Sequence, residues 1–313
     1  MTTGLATHAA CLLHETPPGH PERVERLRAV LGALDAKEFS GLIRIEAPRA
    51  TREALLRVHD AKLIDAVLSA MIEPGRFVRI DADTAMSPGS AEAALRAAGA
   101  VIEAVDAVMD GRVGNAFCAV RPPGHHAERA QSMGFCLFNN IAVGALHARA
   151  VHGLARIAVV DFDVHHGNGT QNIFFGDPEL FYASTHEFPL YPGTGSAVER
   201  GIADNIVNAP LPPGSGSEAF RTAFETLILP SLERFDPQFL LISAGFDAHR
   251  ADPLASLRLD VSDYSWATEQ LCGVAARCCS GRVVSALEGG YDLDALARSA
   301  AAHVGALVAC SES

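Results

Sequence analysis

The chain has 313 residues, 49% hydrophobic and 20% charged, with 25 Lys plus Arg against 37 Asp plus Glu and a net charge of −12. That composition supports a folded domain with a substantial core and excludes a nucleic-acid-binding surface, which needs clustered basic residues. Lys37 and Lys62 are the only lysines, and no G-x-x-x-x-G-K-[ST] loop or G-x-G-x-x-G turn occurs, so neither phosphate cradling nor lysine Schiff-base chemistry has support.

Both lysines fall in helix-like segments near the start of the chain. An Ala-rich helical pattern then spans about 89–110, and the apolar run NAFCAV (115–120) reads as a strand. A helix comes next over 139–152, then strands RIAVVDF (156–162) and LFYAST (180–185). Beyond them come a helix over 216–234, the strand FLLISAG (239–245), a helix over 262–280, the strand RVVSAL (282–287) and a helix over 293–309. Near-continuous apolar strands alternating with helices indicate a parallel sheet covered on both faces. PPGHPER, RPPGHH, YPGTGS and LPPGSGSE are short Pro/Gly-rich loops between these elements. No repeat, charge block or linker divides the chain, so one domain is expected over 1–313.

The seven cysteines (11, 118, 136, 272, 278, 279, 310) form no C-x-x-C and no framework spacing; they read as buried thiols of a reducing compartment. The N-terminus lacks a basic segment leading into an apolar stretch, and no apolar run reads as spanning length. A cytoplasmic protein without a membrane partner is expected.

Polar motifs stand immediately after four of the strands, and this regularity is the informative one. CAV runs into RPPGHH, AVV into DFDVHHGN, LLIS into AGFDAHRADP, and VVSAL into EGGYD. Ligands of parallel α/β sheets bind beyond the carboxyl ends of the strands, so these loops predict one shared site. In extended chain Asp161, Asp163 and His165 point to one side, roughly 6–7 Å apart per two-residue step. A buried carboxylate needs a cation against it. Asp163, His165 and Asp247 can supply three N/O ligands to a divalent ion with a position left open for water, the pattern of a catalytic zinc site. Water activated there needs a base, and His125-His126 offers two imidazoles whose pKa suits proton transfer near neutrality. Asp161 is available to orient one of them, and Tyr291 can donate to a developing oxyanion.

RPPGHHAE (121–128), GFCLFNN (134–140), DFDVHHGNGTQ (161–171), YPGTG (191–195), SAGFDAHRADPL (243–254) and EGGYD (288–292), in this order, resemble the zinc deacetylases of the arginase–deacetylase superfamily. These are the histone deacetylases and bacterial histone deacetylase-like amidohydrolases, with the class II branch most similar. The resemblance runs from HETPPGHPERVERL (14–27) to the last helix. It implies a single open α/β domain with an eight-stranded parallel sheet flanked by helices.

By position, the resemblance implies one Zn2+ held by Asp163, His165 and Asp247. It makes His126 the general base and then acid, His125 an electrostatic partner backed by Asp161, and Tyr291 the group that polarises the amide carbonyl. Asn168 stands where some branches carry a carboxylate behind the second histidine; a neutral amide raises that histidine's pKa less. Gly134, Phe135 and Tyr191 match channel walls, Arg26 an inner-channel position, His20 a loop at the rim and Leu254 the channel mouth. A structural K+ or Na+ is implied near Asp161, Asp163, His165, Ser184 and Thr185.

The implied reaction is hydrolysis of an acylated amine. Leu254, where an acidic residue would favour acetylpolyamines, points to acyl-lysine in a peptide or protein; an acetylated small amine is the alternative substrate. Two rivals are a two-manganese ureohydrolase, which would need His249 as a ligand in Asp247-Ala248-His249, and a non-catalytic acyl-lysine-binding module. His166 is expected to brace His165. His14 and His59 carry no catalytic role, and His8, His147, His152, His186 and His303 are surface or packing residues. Oligomeric state is not written in any motif.

Overall fold

β-Branched and small apolar residues fill the central strands so completely that every position of IAVVD, FLLISA and VVSAL is buried, the signature of strands covered on both faces. The computed structural model describes residues 2–312. Its strands are β1 (Thr3–Thr7), β2 (Ile43–Glu46), β3 (Val78–Arg79), β4 (Ala85–Met86), β5 (Asn115–Cys118), β6 (Ile157–Asp161), β7 (Leu180–Glu187), β8 (Ile206–Leu211), β9 (Phe239–Ala244) and β10 (Val283–Leu287). Its helices are α1 (Val24–Leu34), α2 (Arg52–Leu56), α3 (Ala61–Leu68), α4 (Ser90–Met109), α5 (Asn140–His152), α6 (Asn168–Phe174), α7 (Ser217–Ala223), α8 (Leu229–Phe235), α9 (Val261–Cys278) and α10 (Leu293–Glu312).

Eight strands form one sheet in the order β2-β1-β5-β10-β9-β6-β7-β8, and every pairing is parallel. This is the single-domain, eight-stranded sheet expected. β3 and β4 make a separate antiparallel hairpin. The three sheet strands without a clear sequence signal are β1, β2 and β8. β1 is interrupted by Gly4, and β2 (IRIE) is an edge with mostly exposed side chains. β8 (IVNAPL) is the other edge, where Pro210 is tolerated because one side of the strand needs no partner.

The helix expected over 216–234 is α7 and α8 joined by a π-helical turn, Phe224–Ile228. Pro230 has no N–H to return to Thr226, which lets the turn widen. Helix α10 corrects the expectation that no apolar run reaches spanning length: Leu293–Ser311 is long and apolar enough by length and composition, with a mean hydropathy of 1.2. It packs on α9 and α1 with Leu296, Ala300, Val304 and Leu307 buried, as a core helix does. All seven cysteines are free thiols, with Cys278 and Cys310 partly exposed and the rest buried.

Candidate active site

The four strands whose ends carry the polar motifs are neighbours in the sheet, in the order β5-β10-β9-β6. Sequence order separates them; the crossovers bring their carboxyl ends to one crevice. Asp163, His165 and Asp247 meet there, all buried, with one ligand atom from each lying within 4.8 Å of the others. His165 Nδ1 lies 3.2 Å from Asp163 Oδ1 and 3.1 Å from Asp247 Oδ2.

Backbone amides fix the second oxygens of both carboxylates. Gly289 N donates to Asp163 Oδ2 at 2.8 Å, and Val164 N donates to Asp247 Oδ1 at 2.9 Å. The carboxylates come this close to the chain only because two neighbours lack side chains. A Cβ on Gly245 would sit 2.0 Å from Asp163 Oδ2, and one on Gly289 2.1 Å from Asp247 Oδ2. Burial opposes a charged His165, but its hydrogen bonds to the two aspartates outweigh that and raise it to about 10. One imidazole nitrogen and two carboxylates, preset by amides in a glycine-lined cradle, fit a divalent ion of zinc type. Binding it requires His165 to release its proton.

His125 and His126 stack beside this cluster with ring centroids 4.0 Å apart. His125 Nδ1 donates to Asp161 Oδ2 at 2.9 Å, and the same oxygen accepts from the Tyr182 hydroxyl at 3.1 Å. Burial works against a charged His125, but Asp163 and Asp161 overcome it and lift the ring to about 10. His126 goes the other way: burial, then the charges of His125 and His165, hold it well below its ordinary value. The environment thus pushes the two adjacent imidazoles in opposite directions, His125 toward its charged form and His126 toward its neutral, basic form.

His126 Nδ1 bonds Asn168 Oδ1 at 2.8 Å. Asn168 cannot turn over freely, because its Nδ2 donates to Glu128 Oε1 at 2.7 Å. A carboxylate only accepts, so it claims the amide's NH2 and leaves the carbonyl for His126 Nδ1–H. That assigns the free lone pair to His126 Nε2. Glu128, Tyr182 and Glu288 were not singled out in the sequence. Glu288 Oε2 accepts from the backbone N–H of Gly124 and His125 at 2.7 and 3.2 Å, and burial pushes the carboxyl up to about 7. For Glu128 and Glu288 the available signal was their place inside RPPGHHAE and EGGYD; Tyr182 lies in a buried strand and had none.

Tyr291 and the expected channel residues surround the crevice. The Tyr291 ring faces Phe135 edge-on at 5.9 Å and lies under the Arg26 guanidinium at 4.8 Å. Its amide donates to Asp252 Oδ2 at 2.7 Å, and among the described residues its hydroxyl has no protein partner. Tyr191 meets His126 edge-on at 5.2 Å. Gly134 adopts φ 57°, and a Cβ there would lie 2.4 Å from His126 Cδ2. Phe135 is held by its amide on Thr84 Oγ1 at 3.0 Å, next to β4, and His20 packs against its ring at 4.7 Å. Leu254 is half-buried on the loop that Asp252 ties to Tyr291, with its amide 3.0 Å from Asp252 Oδ1.

Two expectations need adjustment, those for Arg26 and His166. Arg26 is wholly buried behind Tyr291 and not open along a channel: Nε donates to Gly290 O and Nη2 to Glu288 O, both at 2.5 Å, and Nη1 pairs with Glu22. His166 does not brace His165; its nitrogens engage Thr194 Oγ1 at 2.7 Å and Gln171 Oε1 at 3.0 Å, anchoring the YPGTG loop. His249 accepts the Ala251 amide at 3.1 Å and stands outside the Asp163–His165–Asp247 cluster. Ser184 is the register partner of Asp161, and Thr185 is next along the strand, both buried. That leaves Ser184 and Thr185 beside Asp161, where the monovalent ion was expected.

An open eight-stranded parallel sheet with its polar crevice at four adjacent carboxyl ends defines the arginase–deacetylase fold. Residues 20–307 match the histone deacetylase domain model. The chain is 39% identical to a probable deacetylase of Archaeoglobus fulgidus over 94% of this chain and 82% of that protein. It is 40% identical to the histone deacetylase-like amidohydrolase of Pseudomonas aeruginosa, over 87% of this chain and 73% of that one. The crystal structure of the HDA15 HD domain superposes with a TM-score of 0.92 at 37% identity, covering 98% of this chain and 88% of that one. The chain belongs to the histone deacetylase family, and with relatives that are deacetylases and amidohydrolases it is a hydrolase of that type.

Proposed function

We propose that the protein is a zinc-dependent amidohydrolase that removes acetyl or other short acyl groups from an amine, foremost the side chain of acyl-lysine. The observation that carries the reading is geometric: the His126 ring, tied to Asn168, stands 6.0 Å from the ring of His165 in the Asp163–His165–Asp247 cluster, and Tyr291 meets Phe135 in the same crevice. Asp163, His165 and Asp247 would hold one Zn2+, which supplies Lewis acidity toward the carbonyl and lowers the pKa of water. His126 Nε2 takes a proton as water adds to the carbonyl carbon, with Asn168 and Glu128 fixing the tautomer. Tyr291 donates to the developing oxyanion. His125, held cationic by Asp163 and Asp161, contributes positive charge to the crevice. When the C–N bond breaks, His126 returns its proton to the departing nitrogen, and a carboxylate and a free amine result.

Phe135 and Tyr191 offer apolar walls suited to a lysine stem. Leu254 supplies no carboxylate for a second amine, which favours acyl-lysine over acetylpolyamines. A K+ or Na+ beside Asp161, Ser184 and Thr185 would offset the charge of Asp161, and a cytoplasmic location fits the free thiols. The position of His249 outside the acidic cluster weighs against a two-manganese ureohydrolase. The test is turnover of acetyl-lysine peptides and acetylspermidine, with a hydroxamate control and metal analysis on the same sample. Hydroxamate-sensitive deacetylation with one zinc per active chain is expected; no turnover of any acylated amine by zinc-loaded protein would overturn the proposal. Leu254→Glu should shift the rate ratio toward acetylspermidine.

A further inference from the structure

We propose a second, non-catalytic divalent-metal site, formed by Asp106 of α4 with His147 and His152 of α5 and selective for a borderline ion such as zinc. The Nε2 atoms of His147 and His152 each lie 2.7 Å from the same oxygen, Asp106 Oδ1. One ligand atom from each residue falls within 4.8 Å of the others. The ring centroids are 5.8 Å apart and the planes cross at 73°, so the two nitrogens approach from different directions, as ligands around an ion do. Two imidazoles and one carboxylate are a donor set for zinc and its first-row neighbours, not for magnesium or calcium.

Among the described residues the Asp106 carboxylate is met by the two imidazoles and by no fixed cation. Among the described residues no Lys or Arg pairs with Asp106; the nearby Arg149 is taken by Asp177 and Glu179, and Arg112 by Glu103 and Asp110. His152 is the last residue of α5, where the terminal carbonyls add partial negative charge. The side chains of His147, His152 and Asp106 are 10%, 17% and 28% exposed, which leaves one side of the cluster open to a water ligand. Helices α4 and α5 pack on each other, and both end at the amino-terminal edge of the sheet, ahead of β5 and β6. The site therefore lies across the sheet from the catalytic crevice, and an ion there would clamp the two helix ends. Binding at this second site is independent of the proposed reaction.

The experiment is equilibrium dialysis of the untagged, chelator-stripped chain against micromolar zinc, with elemental analysis and thermal melting on the product. Two zinc ions per chain are expected for the wild type, one for His147→Ala/His152→Ala, one for Asp163→Ala and none for the combination. Asp106→Asn keeps an acceptor for both rings and guards against misfolding; it too should bind one. Zinc should raise the melting temperature of Asp163→Ala but not that of Asp163→Ala/Asp106→Asn. Unchanged stoichiometry in both the His147→Ala/His152→Ala and Asp106→Asn proteins would overturn the proposal. So would a wild type that binds a single zinc lost with Asp163. If Asp163→Ala retains both ions, the catalytic ligand assignment fails while the second site is judged by the other variants alone.

Discussion

Tyr291→Phe removes one oxygen atom and tests whether that oxygen acts only in the transition state. The ring is held by Arg26 at 4.8 Å and by Phe135 at 5.9 Å, and the backbone by Asp252, so phenylalanine keeps the same seat. Among the described residues the hydroxyl has no protein partner to lose, and stability should change by less than about 0.5 kcal/mol. Burial raises the phenol's pKa well above its ordinary value against the pull of Arg26, so it remains a donor throughout any practical assay range. A preorganised oxyanion donor in a dry site contributes roughly 100- to 1,000-fold in kcat, ~2.7–4 kcal/mol. The expected result is therefore a drop of that size in kcat for a fluorogenic acetyl-lysine peptide, with KM little moved. Zinc content and melting temperature, measured on the same preparation, should match the wild type. Wild-type kcat at full zinc occupancy would refute the reasoning, and so would a loss of activity that merely tracks loss of zinc.

Asp163→Ala should abolish zinc retention in the crevice, and it also strands the buried Gly289 amide at a cost of about 1–3 kcal/mol; elemental analysis and denaturant melts read the two effects separately. Glu128→Ala frees the Asn168 amide to turn its NH2 toward His126. The charge-assisted bond lost is worth ~1.5–3 kcal/mol, so kcat should fall by about tenfold or more, and Glu128→Gln, which still offers a carbonyl acceptor, should recover part of it. Equal activity in both variants would remove Glu128 from the positioning chain. His59 accepts the Asn139 amide and donates to Glu128 O, and burial depresses it to about 4. The unfolded chain then binds the extra proton between about pH 6.5 and 4, so this stabilisation is complete above 6.5 and lost as the pH falls, by ~2 kcal/mol at pH 5. Urea titrations at pH 7 and 5 should show His59→Gln losing about that much less than the wild type over the interval.

Much of this protein is legible in its chain because two local signals are strong. The central strands announce themselves by unbroken runs of buried apolar residues, and each run ends in a polar motif. A carboxyl-end crevice is a general property of parallel sheets, so Asp163, His165, Asp247, His125, His126 and Tyr291 could be gathered before any coordinates. The edge strands β2 and β8 carry no such signal, since one side of each needs no partner and tolerates charge or proline. Arg26 illustrates another limit. An inner-channel position was expected for it, but its complete closure behind the Tyr291 ring depends on Glu22, Glu288 and Gly290, two of which are distant in sequence.

The sequence by itself determined the parallel α/β architecture and the chemical inventory of the crevice, because both arise from local periodicity and from the types of residue placed after each strand. Tertiary structure alone decided which neighbours push His125 and His126 in opposite directions, which end of Asn168 faces His126, and that Asp106 meets His147 and His152. The physical reason is that burial and pairing act through space: a histidine's proton affinity and an amide's orientation are set by neighbours that the crossovers deliver from elsewhere in the chain.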